Sequence, residues 1–451
     1  MMSGKFVIIG GDAAGMSAAS KIRRLDKDAT LLVFEKGPHI SFAACGMPYW
    51  ISGVIEDGSK LQVLTPEIAQ TKRNIDVRIG HEVLNIDAER KQVLVKVLGT
   101  GETFEEPYDS LLIATGASAV VPTWPGINSP GVFALRSLSD GHRIKDYLAK
   151  HQVAHATIIG GGHIGLEMAE AFRHLGIQVT MLVRGDQIAS SYDKGMLEEV
   201  ITNILDHGVD LRLNSQVTAM EYHPGQKLEV VTSQGSIDTD LVLVSTGVRP
   251  NTKLAERAGI LLGQSGGIKT DRFMKTSTDN IYAAGDCASH HHLVLEEDLW
   301  VSRAPAANKG GKIAGENMAG GAALFPGVLG TSVAKVFDYT LGETGITEQV
   351  ATASDKFGEI SVTEVTSGNR AHYYPGSTPI TIKLITEKSS GRLLGAQMVG
   401  RADVAKRLDV LATAITAKMT VADIGVLDLA YAPPFAPVYD PIHVAANVAN
   451  K

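Results

Sequence analysis

Cysteine is almost missing from this 451-residue chain: there are two, Cys45 and Cys287. Two thiols cannot make the disulfide framework of a secreted scaffold, so any cysteine chemistry here is expected to be catalytic. No apolar run reaches the roughly 18 residues a membrane span needs, and residues 1–11 lack the basic stretch and apolar segment of a leader. The expectation is a cytoplasmic protein with no membrane partner. Positive charge is not in excess either: 42 lysines and arginines face 49 aspartates and glutamates, a net charge of −7, and no nucleic-acid partner is expected. Metal-ligand spacing is also lacking. The run His290, His291, His292 reads as a polar loop without further ligands nearby, so no metal is assigned.

Glycine, by contrast, is plentiful: 47 residues, against the roughly 7% of ordinary chains. It clusters informatively. An apolar strand at Lys5–Ile9 runs into a glycine turn at residues 10–15 and a helical stretch at 16–25, and a second apolar strand, 30–34, ends at Glu35. Strand, glycine turn, helix, strand and acid are the parts of a dinucleotide-binding βαβ unit. The pattern recurs with a strand at 156–159, a turn at 160–165, a helix at 166–175 and a strand at 178–183. Segments 109–116 and 240–247 match each other too, each an apolar strand closing on Thr-Gly (Thr115-Gly116 and Thr246-Gly247).

From about residue 326 the character changes. Strands are expected at 358–366, 379–386 and 391–399, then an amphipathic helix over 402–418, which together read as an antiparallel sheet with a helix packed on it. The prolines of 430–441 leave only an extended, shaped loop. The fold class is α/β, two doubly wound dinucleotide-binding modules plus a C-terminal α+β domain. The expected domains are 1–117 with 248–325, then 118–247, then 326–451.

Two such turns imply two dinucleotides, because the backbone amides and the helix N-terminus favour a pyrophosphate. Asp12 departs from the pattern, standing where the middle glycine belongs. Segment 278–288 reads as a strand ending in Gly285-Asp286, which suits a carboxylate on a sugar-like hydroxyl chain, and with the first turn it suggests FAD.

These features resemble the pyridine nucleotide-disulfide oxidoreductases over essentially the whole chain. The resemblance implies that Gly10, Gly11, Ala14, Gly15 and Glu35 hold the ADP part of FAD, Asp286 its ribityl chain, and that Thr115, Gly116 and Ala306 complete the site. It assigns Gly160, Gly162, Ile164, Gly165, Glu167, Arg184 and Gly247 to NAD(P)H, with His163 in the place of an aromatic gate. Arg184 stands where an acid would meet a ribose 2′-hydroxyl and suits a 2′-phosphate instead. NADPH is favoured, with NADH or dual use the alternative.

Cys45 lies in Ser41-Phe42-x-x-Cys45-Gly46-x-Pro48-Tyr49. A thiol near a helix N-terminus and a flavin is expected to have a lowered pKa and to act as a thiolate nucleophile; the plainer alternative is a small buried apolar residue. With no second cysteine within five residues, a paired-cysteine disulfide is excluded, and Cys45 must cycle as a mixed disulfide, a persulfide or a sulfenic acid. Cys287 reads as a packing residue.

Single-cysteine relatives divide into coenzyme A-disulfide or persulfide reductases and NADH oxidases or peroxidases. The latter carry a histidine in the first turn; here that position is Ala13. Motifs around Tyr373 and Tyr431 resemble those of the coenzyme A-disulfide reductases, and the resemblance implies a homodimer whose partner subunit supplies these phenols to the active site, able to protonate a leaving thiolate. Lys21 and Arg24, three apart on one helix face, together with Ser41, are the candidates for the coenzyme A phosphates, with Lys72 and Arg73 extending the patch; a solvated charged face is the alternative. The expected function is an FAD-dependent NAD(P)H oxidoreductase that reduces coenzyme A disulfide, or a related persulfide or polysulfide. The alternative is an NAD(P)H oxidase reducing O₂ through a cysteine sulfenic acid. The chain reaches Lys451 without a fused sulfur-transfer domain, which tilts the expectation toward disulfide.

Overall fold

A computed structural model describes residues 4–222 and 228–451. Residues 1–3 of the stretch read above for a leader lie outside them. Four helices position the site: α1 (Ala13–Leu25), α2 (Met47–Ile51), α3 (His163–His174) and α4 (Ala304–Met318).

The first five-stranded sheet is parallel, in the order Ile281–Ala283, Ser110–Ile113, Lys5–Ile9, Thr30–Glu35, Asp76–Ile79. Its central strands are apolar at consecutive positions because both faces are covered: Val7, Ile8, Leu111, Leu112 and Ile113 are fully buried. Helix α1 crosses α4 at close range. A Cβ on Gly311 would meet the Ala14 carbonyl oxygen at 2.2 Å, so only glycine permits this approach.

The second sheet repeats the plan, with parallel strands Val209–Arg212, Gln178–Leu182, His155–Ile159, Leu241–Val244 and Val132–Ala134, and α3 packed on it. The chain leaves the first module at Ala117–Ala119 and returns at Val248–Pro250, two segments paired antiparallel. Asn251 pins this crossing, donating from Nδ2 to the Thr115 carbonyl at 2.8 Å and from its backbone amide to the Gly116 carbonyl at 2.9 Å.

The third sheet is antiparallel, in the order Ser332–Val336, Tyr339–Gly345, Leu393–Gly400, Pro379–Glu387, Ile360–Gly368, with helices Val404–Thr416 and Pro441–Ala449 against it. Its first two strands were not expected. Gly342 and Gly345 dilute the strand pattern there, yet a Cβ at Gly342 would stand 3.0 Å from Leu408, so the glycine is what lets the helix lie close. Residues 426–440 form neither helix nor strand. Buried Arg407 shapes this loop, pairing with Asp440 at 2.8 Å and donating to the Asn369 carbonyl at 2.8 Å.

One expectation is corrected here. The triple-histidine run is not a polar loop: Ser289–His292 is a strand paired with Glu297–Trp300, and His290 and His292 are buried. Among the described residues no helix is long and apolar enough to cross a membrane.

Candidate active site

The two glycine turns are near copies. Gly10 and Gly160 have φ of 106° and 117°, and a Cβ on either would strike a carbonyl oxygen at the end of the neighbouring strand, Ala114 at 2.1 Å and Ser245 at 2.3 Å. Gly15 and Gly165 sit hard against the carbonyls of Gly10 and Gly160, so helix and strand meet at the same distance in both modules. Neither α1 nor α3 has a side-chain cap, which leaves the amides of the first helical turn for an anion. Above Gly162 there is open space. Both turns therefore fit a pyrophosphate.

Around the first turn, Glu35 accepts from the Gly11 amide at 2.8 Å and the Gly37 amide at 2.7 Å, which fixes its carboxylate beside the turn. Ala14 is buried where α1 meets α4, and Ala306 is buried in the first turn of α4. The Thr115 hydroxyl donates to the Asn251 carbonyl at 2.7 Å, and Gly116 follows with φ of 66°. Asp286 is paired with Arg136 at 2.6 Å, a partner that no local pattern announces across 150 positions. Around the second turn, Ile164 lies in the first turn of α3, Gly247 has φ of 119°, and Arg184 is exposed at the end of its strand. The His163 ring contacts the Ser332 hydroxyl of the third sheet at 3.4 Å, and burial, then Arg303, holds its pKa down at about 4, so the ring is neutral.

Cys45 lies in a 3₁₀ turn, Ala44–Gly46, just ahead of α2, and is exposed and free. Its thiol pKa is raised rather than lowered. Partial burial is the main cause, the Glu167 carboxylate adds to it, and Arg136 opposes it. The expected thiolate stabilisation fails because α2 is only five residues long, so its dipole is weak, and because an acid rather than a base faces the sulfur. Glu167 itself is pushed up to about 7 by burial and by Glu170. Cys287 is fully buried, its Sγ 3.3 Å from the Ala284 carbonyl oxygen, and its thiol is pushed up by burial.

Between α1, α4 and the segment before Cys45 opens a cavity of about 370 Å³, lined by Arg24, Ser41, Arg73, Lys309 and Lys312 among others. Of the residues read for the phosphates, Arg24, Ser41 and Arg73 line it and Lys72 does not. Nor does Lys21: its ammonium pairs with Glu316 of α4 at 3.0 Å, which uses it to hold the two helices together. Lys309 and Lys312 were missed, although their three-residue spacing on one helix is the same signal that marked Lys21 and Arg24.

Tyr373 and Tyr431, 58 positions apart, meet through their hydroxyls at 3.3 Å, and both are well exposed in the single chain. That hydrogen bond raises the Tyr431 pKa, keeping the phenol protonated. Phe435, Val438 and Tyr439, four to eight positions after Tyr431 in the same loop, are also strongly exposed.

The profile of the pyridine nucleotide-disulphide oxidoreductases matches residues 4–311, and that of their dimerisation domain matches residues 331–441. An NAD(P)H coenzyme A polysulfide/persulfide reductase of Pyrococcus horikoshii is 41% identical over 99% of this chain and 98% of its own. A coenzyme A disulfide reductase of Staphylococcus epidermidis is 34% identical over 99% of this chain and all of its own. Among solved structures, reduced Bacillus anthracis CoADR-RHD superposes with a TM-score of 0.96 at 39% identity, covering 100% of this chain and 80% of its own. The water-forming NADH oxidase of Lactobacillus brevis does so with a TM-score of 0.94 at 28% identity, covering 99% and 98%.

Proposed function

Because the chain belongs to the pyridine nucleotide-disulphide oxidoreductases, a family of FAD enzymes driven by NAD(P)H, we propose that it reduces coenzyme A disulfide, or sulfur bound to coenzyme A as a persulfide, through Cys45. The observation that carries this reading is the basic cavity. Arg24, Arg73, Lys309 and Lys312 gather four cations at the mouth of the segment that leads from Ser41 to Cys45. Four positive charges are what the phosphates of a coenzyme A need, while O₂ needs none.

The residues then divide the work. The Cys45 thiolate attacks one sulfur of the disulfide, a Cys45–coenzyme A bond forms, and the second coenzyme A departs as a thiolate. Tyr431, a protonated phenol hydrogen-bonded to Tyr373, is placed to give that thiolate its proton. We assign these tyrosines to the active site of the partner subunit in a cytoplasmic homodimer, because both stand exposed, as do Phe435 and Tyr439. Bound flavin would supply the two electrons, drawn from NAD(P)H, that cleave the mixed disulfide, and the coenzyme A held on Cys45 would then leave with the Cys45 thiolate restored. Glu35 and the first turn would hold the flavin's ADP part; Asp286, paired with Arg136, would meet its ribityl chain. Neutral His163 at the head of α3 gates the nicotinamide side, and exposed Arg184 favours NADPH.

The test is anaerobic NADPH oxidation by the FAD-loaded protein before and after coenzyme A disulfide is added. Rapid oxidation only after addition is expected. No response to the disulfide, followed by oxidation once air is admitted, would instead establish the oxidase chemistry of the Lactobacillus brevis neighbour.

A further inference from the structure

Aspartate is among the best helix N-cap residues, since its carboxylate accepts from the amides of the first turn. Asp12 occupies the N-cap of α1 and makes no such bond. Its carboxylate turns away and accepts from the backbone amide of Phe42 at 3.2 Å, 30 positions along the chain. Second to this, the Ser41 amide donates to the Gly11 carbonyl at 3.0 Å, and Ser41 is held at φ of 45°, in the left-handed region that serine rarely enters. On its other side the same strap is zipped to residues 61–63, with the Ala43 amide on the Leu61 carbonyl at 2.7 Å and the Val63 amide on the Ser41 carbonyl at 2.9 Å. Three residues beyond Phe42 comes Cys45.

We propose that Asp12 is a positioning residue for Cys45: its carboxyl fastens the 41–45 strap to the first glycine turn, so that the turn that would cradle the dinucleotide also sets the register of the cysteine. The arrangement explains why an acid is tolerated in a phosphate-binding turn. By reaching to Phe42 the carboxyl leaves the later amides of the first helical turn uncapped, keeping only an interaction with the Ala13 amide, whereas Gly162 leaves α3 open by having no side chain at all. Burial, with Glu35 adding to it, lifts its pKa to about 6, so the carboxyl stays mostly ionised at neutrality and loses much of its charge only as pH falls to about 6 and below, while an oxygen remains an acceptor for Phe42 in either form.

The proposal goes beyond the assignment of Cys45 as the redox thiol but rests on it. Two variants of the FAD-loaded protein test it. D12S keeps a good N-cap residue yet is too short to reach Phe42, whereas D12N keeps the acceptor and removes the charge. In D12S the Phe42 amide should exchange with deuterium about tenfold faster, the iodoacetamide alkylation rate of Cys45 should change several-fold, and kcat for coenzyme A disulfide should fall roughly tenfold with KM within twofold. D12N should restore all three, and both variants should retain FAD. Wild-type exchange and alkylation in folded D12S would overturn the proposal, and so would a D12N as impaired as D12S. If the wild-type protein proves inactive on coenzyme A disulfide, the functional reading fails while exchange and alkylation still decide this one.

Discussion

Burial and Glu170 raise the Glu167 carboxyl, and Glu167 in turn opposes the ionisation of Cys45; both consequences are measurable. The carboxyl pKa is about 7 in the folded protein against an ordinary 4.5, so between those values the folded chain binds more protons than the unfolded one. Stability therefore falls as pH rises through that window, and the penalty is fully present above about 7. Glu167→Gln should remove it: the wild-type melting temperature should decline relative to the variant between about pH 5 and pH 8, whereas parallel profiles would mean that Glu167 titrates normally. The same substitution removes the acid beside the sulfur, so Cys45 should alkylate several-fold faster at neutral pH. Cys45→Ser is the sharper test of chemistry. It should lower disulfide-dependent NADPH oxidation by about a thousandfold or more while flavin absorbance is retained, since no other cysteine can substitute: Cys287 is fully buried.

At the scale of elements, the basic cavity proposed for coenzyme A is a product of helix packing. Arg24 comes from α1, Lys309 and Lys312 from α4, and Arg73 from the helix Pro66–Arg73, and the first two helices are locked at a distance that Gly311 and Gly315 permit. Arg24→Ala should raise KM for coenzyme A disulfide about tenfold with kcat within twofold, and the penalty should shrink as salt screens the remaining cations. An unchanged KM would move the substrate elsewhere. This also shows what a sequence can and cannot convey. The glycine turns were legible because strand, turn and helix are contiguous and each glycine answers a local steric demand. The inner parallel strands were legible as continuous apolar runs, whereas Asp76–Ile79, Val209–Arg212 and Val132–Ala134, short strands at the sheet edges, were not read. Lys21's pairing was not legible because its partner Glu316 lies 295 positions away, and Arg136 was missed because Asp286 lies 150 positions from it. Strand Tyr339–Gly345 and the buried His290 strand escaped for the same reason: glycine and histidine are weak strand formers, and only the tertiary neighbours, Leu408 in one case and the Glu297–Trp300 strand in the other, make them fit.

For the molecule as a whole, the role proposed for the tyrosines turns on which subunit's cysteine they would serve. Tyr373 and Tyr431 are joined at 3.3 Å by the third domain, and in one chain they stand 65% and 47% exposed, too open for a general acid that must work on a thiolate away from water. A second copy docked on the apolar surface of Phe435, Val438 and Tyr439 would cover them and bring its own Cys45. Subunit complementation separates the two arrangements. One variant carries Cys45→Ser; the other carries Tyr373→Phe with Tyr431→Phe. Each homodimer should be severely impaired, the first without a nucleophile and the second slowed by roughly ten- to a hundredfold for want of a proton donor. When the two are unfolded, mixed in equal amounts and refolded, about half the dimers are hybrids. If the tyrosines act across the interface, each hybrid has one site with an intact cysteine and intact tyrosines and one site with neither. Activity should then return to about a quarter of the wild-type value. If the tyrosines act within their own chain, every site in the hybrid carries one defect, and mixing restores nothing.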